Sequence, residues 1–240
     1  MLKKLAVLLF ALTAVAMAET KPVVVVELFT SEGCSSCPPA DALLRDLQVR
    51  GLPGAELVLL GEHVDYWNQL GWRDAYSSEQ FTARQQDYAN KMKLRDYYTP
   101  QAVVDGTVEF VGSDEGALHR AILKSMQAPK PLVITVSWDA ASQTAHVNAE
   151  GAGSGDLYLA FTEVGLSSQV TAGENAGNRL THAAVVRRLK NVGGVSGAFR
   201  KDIQFPLDHG WSASHLRLAA FVQDKTTGAI LGATSVKLTP

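Results

Sequence analysis

Cysteine is almost absent from this 240-residue chain: Cys34 and Cys37 are its whole complement. A small protein held together by disulfides usually carries several, spread over long loops. One pair with two residues between removes little entropy from the unfolded chain, so it makes a poor staple. Basic charge is not in excess either, with 22 Lys and Arg against 24 Asp and Glu. That balance provides no electrostatic footprint for nucleic acid and no polybasic membrane patch. Internal repeats and low-complexity tracts are missing as well. The only long apolar run, Leu5–Val15, falls short of the ~20 residues a spanning helix needs.

That run has its own explanation. Lys3 and Lys4 precede it and Ala16-Met17-Ala18 follows it, the layout of a secretory signal peptide, with an uncleaved anchor as the competing reading. Residues 1–18 are therefore expected to be removed, leaving a mature chain that starts at Glu19. It would be exported, periplasmic or secreted, with no stable membrane span. Its balance becomes 20 basic against 24 acidic residues, and its 222 residues suit two domains of ordinary size.

The pattern predicts an α/β unit over 19–129 and a β-rich unit over 130–240. Val23–Phe29 is a near-continuous β-branched run, as in a strand buried on both faces. Ala40–Val49 has Leu43, Leu44 and Leu47 at helical spacing, and Glu56–Val64 is a second apolar run. Strand, helix and strand in that order imply a right-handed parallel crossover. Tyr66–Arg95 reads as a mostly helical insertion, with Phe81, Tyr88 and Met92 on one face. Asp105-Gly106 between Ala102–Val104 and Val108–Val111 signals a hairpin. Leu118, Ile122 and Met126 mark a further helix. Beyond Pro131 seven short runs, from Leu132–Trp138 to Ala229–Leu238, are separated by turn residues. They predict an antiparallel, immunoglobulin-like sandwich without an inter-sheet disulfide.

The chemistry gathers at Gly33-Cys34-Ser35-Ser36-Cys37-Pro38-Pro39, between the first strand and the first helix. A thiol at a helix N-terminus meets the positive end of the helix dipole, which favours the thiolate, the attacking species in disulfide exchange. Cys34 would attack and Cys37, one turn deeper, would resolve the mixed disulfide. Pro38 and Pro39 lack an N–H, so the helix starts there or kinks there, and its first amides would be free to point at sulfur.

This strand and motif resemble the first catalytic strand and active-site helix of the thioredoxin superfamily. Tyr98-Thr99-Pro100-Gln101 before the hairpin is similar to that family's cis-proline loop. The resemblance implies a Cys34–Cys37 disulfide couple, with Pro100 as the cis-proline and Thr99 offering backbone groups to a client. More narrowly, the chain resembles an exported bacterial group that pairs a Gly-Cys-x-x-Cys-Pro-Pro thioredoxin-like domain with a β-rich domain. Glu62–Trp67 and Gly173–Gly177 share that likeness. Ser35-Ser36 and Gly33 depart from thioredoxin itself, and with them goes any assignment of oxidase, isomerase or reductase direction.

Other residues carry two readings each. Glu27 would help move a proton for the resolving thiol, or it is a salt-bridged strand carboxylate. Glu62, His63 and Asp65 would begin a metal site, or they form a hydrogen-bonded strand end. Tyr66, Trp67, Trp72, Tyr97 and Tyr98 would floor a client groove or pack the insertion down, with Tyr98 the one expected to reach the site. Asn175, Asn178 and Arg179 would recognise something polar or simply make a long turn, and Arg187, Arg188 and Lys190 read as a solvated strand face. The function expected is an exported thiol–disulfide oxidoreductase acting on protein thiols or disulfides through an unidentified redox partner. It needs no cofactor and no resident metal. The alternatives are a soft-metal (copper) handling protein and a binding module whose disulfide is a static clip.

Overall fold

A computed structural model describes residues 21–238; the export segment expected at 1–18 lies outside them. Strand β1 (Val23–Thr30) is buried along almost its whole length. Helix α1 (Pro38–Arg50) starts on its two prolines, where a missing N–H costs no helical bond. Strand β2 (Glu56–His63) pairs in parallel with β1, from Val23↔Glu56 to Thr30↔His63. Helix α2 (Glu79–Met92) is capped by Ser78, whose hydroxyl accepts from the Gln80 amide. Of the helical insertion expected at 66–95, only α2 and one 3-10 turn at Asn68–Leu70 are helical.

Strands β3 (Gln101–Val104) and β4 (Val108–Val111) form the expected hairpin. Asp105 (φ 47°) and Gly106 (φ 68°) take the left-handed pair of a type I′ turn. Helix α3 (Glu115–Gln127) follows, capped by Asp114. Alternation along β1 divides the helices between the faces. Val24, Val26 and Leu28 pack with Ala40 and Leu44 of α1 and with Leu118, Ala121 and Ile122 of α3. Val25 packs with Phe81 and Phe29 with Tyr88, both from α2, on the other face.

The second half consists of β5 (Leu132–Asp139), β6 (Thr144–Gly151), β7 (Ser154–Glu163), β8 (Ser167–Gln169), β9 (Arg179–Thr181), β10 (Val185–Ser196), β11 (Phe199–Gln204), β12 (Leu216–Gln223) and β13 (Ile230–Lys237). The seven expected runs all form strands. The short β8–β9 pair is additional. Sheet β11-β6-β5 packs Ile134, Ala145, Val147 and Ile203 against Leu157, Leu159, Phe161, Leu216 and Leu218 of β7 and β12.

The two halves share one sheet, ordered β13-β12-β7-β10-β2-β1-β3-β4. Its seam is the parallel pair Val185↔Gly61, where the Gly61 amide donates to the Ala184 carbonyl at 2.8 Å. A β-carbon at Gly61 would stand 2.7 Å from the Ala183 carbonyl oxygen, so glycine is what lets the strands approach. Asp105 fastens the same joint. Its carboxylate accepts from the Val25 amide at 2.9 Å, from Lys130 Nζ at 2.7 Å and from Ser125 Oγ, while its carbonyl accepts from Ile230 N at 3.1 Å.

Candidate functional site

Cys34 and Cys37 form a disulfide with Cα atoms 5.4 Å apart, at the turn between β1 and α1. Ser35 and Ser36 are exposed, but both cysteines have 0 % exposure. The first amides are not free as expected. Cys34 N donates to Ser31 O and Cys37 N to Cys34 O, while Ala40 N and Asp41 N both donate to Cys37 O. What remains for the sulfurs is the axial dipole of α1 and, for Cys34 Sγ, the Ser36 hydroxyl at 3.4 Å.

A loop from the second half closes over this turn. Asn175, buried between β8 and β9, donates through Nδ2 to the carbonyls of Glu32 (2.9 Å) and Cys34 (3.0 Å). Its neighbour Glu174 accepts from the Ser35 amide at 3.0 Å. Asn175 thus ties this loop to the cysteine turn within the chain. Gly173 and Gly177 hold the loop's shape at φ 73° and 87°.

Behind the turn lies a buried acid–imidazole network. Glu32 accepts from Trp72 Nε1 at 2.7 Å and is bonded to His182 Nε2 at 2.9 Å. Asp74 accepts from the Glu32 amide at 2.9 Å and lies 2.6 Å from His63 Nδ1. The two imidazoles meet edge to face, 4.8 Å between centroids, with Tyr76 against both. Burial opposes the charge on Glu32, yet the bonds from His182, Ser168 and Trp72 hold its pKa below the ordinary value. Burial likewise opposes charge on His63 and Asp74, and their mutual attraction outweighs it, raising the first and lowering the second. Asp41 is one helical turn beyond Cys37 and accepts from Thr30 Oγ1 at 3.2 Å. Burial pushes its pKa up, against the pull of His63 and His182. Sequence reading found His63 but not Glu32, Asp41, Asp74 or His182. Glu32 and His182 are 150 residues apart, and no local spacing links them.

The expected cis-proline loop lies beside the turn. The Thr99–Pro100 bond is cis. Trp67 spans the gap, its Cβ 3.0 Å from where a β-carbon on Gly33 would stand and its Nε1 donating to Thr99 Oγ1 at 2.8 Å. Pro100 and Ala40 both border Gly112. Tyr98 turns elsewhere: its hydroxyl donates to Glu109 Oε2 at 2.7 Å. Burial and that carboxylate raise its pKa. Tyr66, bonded near Thr99 and Gln85, is pushed up by burial to about 12.

Glu27 is not brought to the cysteines. It faces α2, where Arg84 Nε and the Tyr88 hydroxyl each donate to it at 2.5 Å, while Cys37 caps the N-terminus of α1, the helix on the opposite face. The physical reason is register. A seven-residue separation, with alternation along β1, sends this side chain away from α1. Glu62 sits beside it with both oxygens unpartnered and Arg84 Nε 3.5 Å away. Burial and the charge of Glu27 raise its pKa well above the ordinary value. Asp65 takes the strand-end reading, accepting from Thr82 Oγ1 at 2.6 Å. Arg187 and Arg188 are ion-paired with Glu163 and Asp208. Among the described residues, no three His, Cys, Asp or Glu side chains are arranged to hold a metal ion. Nor is any described helix long and apolar enough to cross a membrane.

With this geometry in view, comparison with known proteins is informative. A family model described as "Protein of unknown function (DUF1223)" matches residues 25–223. The chain belongs to the DUF1223 family. That match takes in the disulfide turn, the Thr99–Pro100 loop and the Asn175 cap alike. The crystal structure of protein AGR_C_4864 from Agrobacterium tumefaciens is similar to this DUF1223 chain at 28 % identity and a TM-score of 0.74. The match covers 91 % of this chain and 96 % of that one. HBP35 of Porphyromonas gingivalis is similar in fold at 14 % identity and a TM-score of 0.64, over 92 % of this chain and 77 % of that one. No curated protein matches the chain significantly.

Proposed function

We propose that this DUF1223 protein is an exported thiol–disulfide oxidoreductase with a thioredoxin-like first half and an immunoglobulin-like β sandwich behind it. The observation that carries the reading is the placement of the Cys34–Cys37 disulfide. It lies at the start of α1, directly after β1, with the cis Thr99–Pro100 bond joined to it through Trp67. The strand order β2-β1-β3-β4, with α1 and α3 on one face and α2 on the other, supports the thioredoxin-like half. The A-x-A site after Leu5–Val15 supports export.

In the reduced protein the Cys34 thiolate attacks a client disulfide, forming a mixed disulfide and releasing one client thiolate. Cys37 loses its proton and attacks Cys34 Sγ, releasing the second client thiolate and closing the Cys34–Cys37 bond. Two electrons pass from protein to client, and the reverse sequence oxidises a client dithiol. Pro100 and the Thr99 backbone orient the client strand, and Tyr98 stiffens their loop through Glu109. Equilibration with glutathione buffers, read by thiol alkylation, tests this. A single two-electron transition within roughly −120 to −270 mV is expected.

A second reading has a specific observation in its favour. Both sulfurs are buried and the turn is tied down by Asn175, as a structural clip in a binding module would be. A disulfide that stays closed throughout the glutathione titration of the folded protein selects that reading.

A further inference from the structure

Helix α1 places Cys37, Asp41 and Arg45 four residues apart, hence on one face and one turn from each other. Beside that face is a cavity of about 160 Å³ lined by Pro38, Asp41 and Arg45 of α1 and by Arg179, Leu180 and Thr181 of β9. Each half of the protein contributes one guanidinium. Arg45 Nη1 donates to the Thr181 carbonyl at 2.8 Å and Arg179 Nη2 to Ser167 Oγ at 2.9 Å. Both partners are neutral, and among the described residues neither arginine has an acidic partner. Their charges therefore stand uncancelled at the rim.

One acid, Asp41, lies in the floor. Asp41 is nearly fully buried and accepts from Thr30 Oγ1, and burial raises its pKa. The positive end of α1 adds to the same field. The acid nearest in sequence to this loop, Glu174, is directed at the Ser35 amide instead. Two guanidinium forks at helix-turn distance from a disulfide suit a carboxylate. The volume suits such a group and excludes a whole domain or helix.

Resting on the thiol–disulfide reading, we propose that this cavity is a specificity subsite that binds a carboxylate carried next to the reacting thiol of the substrate. The pocket lies one to two helical turns from the sulfurs, about 5–11 Å along the helix. A tripeptide reaches that far, so a thiol bonded to Cys34 can place a carboxylate between Arg45 and Arg179. The incoming thiolate attacks Cys34 Sγ and Cys37 leaves as a thiolate. A second thiolate then attacks the mixed disulfide, which gives the external disulfide and the protein dithiol.

The test compares the oxidised full-length protein with R45Q, R179Q and the double variant. Reduction rates are measured with glutathione and with uncharged mercaptoethanol, each normalised to its thiolate concentration. The double variant is expected to lose about fivefold with glutathione, a loss that added salt reproduces in the parent. Mercaptoethanol rates should not change. Terminally blocked cysteine peptides with a neighbouring Glu or Gln form the second arm. Discrimination there identifies an acidic protein segment as the carboxylate source, and discrimination only with glutathione identifies a small thiol. Binding of unreactive S-methylglutathione to the oxidised protein, followed by NMR at the arginine side chains, reads the pocket independently of exchange. Equal losses with both reducing thiols, or no loss with either and no S-methylglutathione binding, overturn the subsite. Binding without exchange with any thiol keeps the subsite and overturns the oxidoreductase reading.

Discussion

Asn175 Nδ2 lies 3.0 Å from the carbonyl oxygen of Cys34, a residue 141 positions earlier in the chain. The same nitrogen also donates to Glu32, so one buried amide joins the β8–β9 loop to the backbone on both sides of Gly33. For thiol–disulfide exchange the sulfurs must become accessible, and in this conformation they are not. Opening of this loop is the motion expected to expose them.

Replacing Asn175 with Ala removes two hydrogen bonds of about 1 kcal/mol each. Reduction of the disulfide by dithiothreitol, followed by alkylation, should accelerate roughly 10- to 30-fold. A thermal melt of the oxidised variant separates this local effect from general unfolding. An unchanged rate would mean that the loop does not control access.

His63 and Asp74 set a pH window. The folded pKa of His63 is above its reference of 6.5, so its contribution to stability is complete below 6.5 and disappears as pH rises through the folded value. The folded pKa of Asp74 is below 3.8, so its contribution is complete above 3.8 and disappears as pH falls through the folded value. The pair therefore stabilises most between these limits. Melting temperature against pH for H63Q should lack the alkaline decline that the parent shows. Parallel curves would refute the pairing.

The Glu27–Arg84–Glu62 cluster separates two carboxylates by role. Glu62 has its pKa raised well above 4.5 by burial and by Glu27, so folding is progressively penalised as pH rises above 4.5. E62Q should match the parent below that pH and equal or exceed its stability at pH 7. By contrast, E27Q or R84M breaks a buried ion pair and should cost about 3–5 kcal/mol. Chemical denaturation of the three variants checks the order.

Gly61→Ala tests the seam between the halves. The new methyl would meet the Ala183 carbonyl oxygen at 2.7 Å, forcing β10 away from β2 at an expected cost of about 1–3 kcal/mol. Amide exchange should show the Gly61 amide, which donates to the Ala184 carbonyl, losing protection first. Protection concentrated in the first half alone would argue against a shared sheet.

Local periodicity made most of the elements legible. β-branched residues marked β1, leucines four apart marked α1, Asp105-Gly106 marked the hairpin, and turn residues delimited seven strands. Cys34, Cys37, Thr99 and Pro100 were legible because each sits in a short motif. The shared sheet was not, since Val185 meets Gly61 through a pairing that neither segment encodes alone. Strands β8 and β9 are three residues long, too short for a period to register. The network of Glu32, Asp74 and His182 was hidden for a related reason: its members are polar residues on separate elements that meet only once the sheet has closed. For Glu27 the sequence showed an acid at nearly the right distance, and strand alternation sent it to the other face.

The most direct test of the oxidoreductase account uses the two single-cysteine variants, Cys37→Ala and Cys34→Ala, each mixed with a peptide disulfide. Mass spectrometry follows formation of the mixed disulfide over time. The account predicts rapid accumulation on Cys34 in Cys37→Ala, faster than a free cysteine at the same pH, and little on Cys37 in Cys34→Ala. Equal, slow reaction of both variants at the rate of an ordinary buried thiol would contradict it.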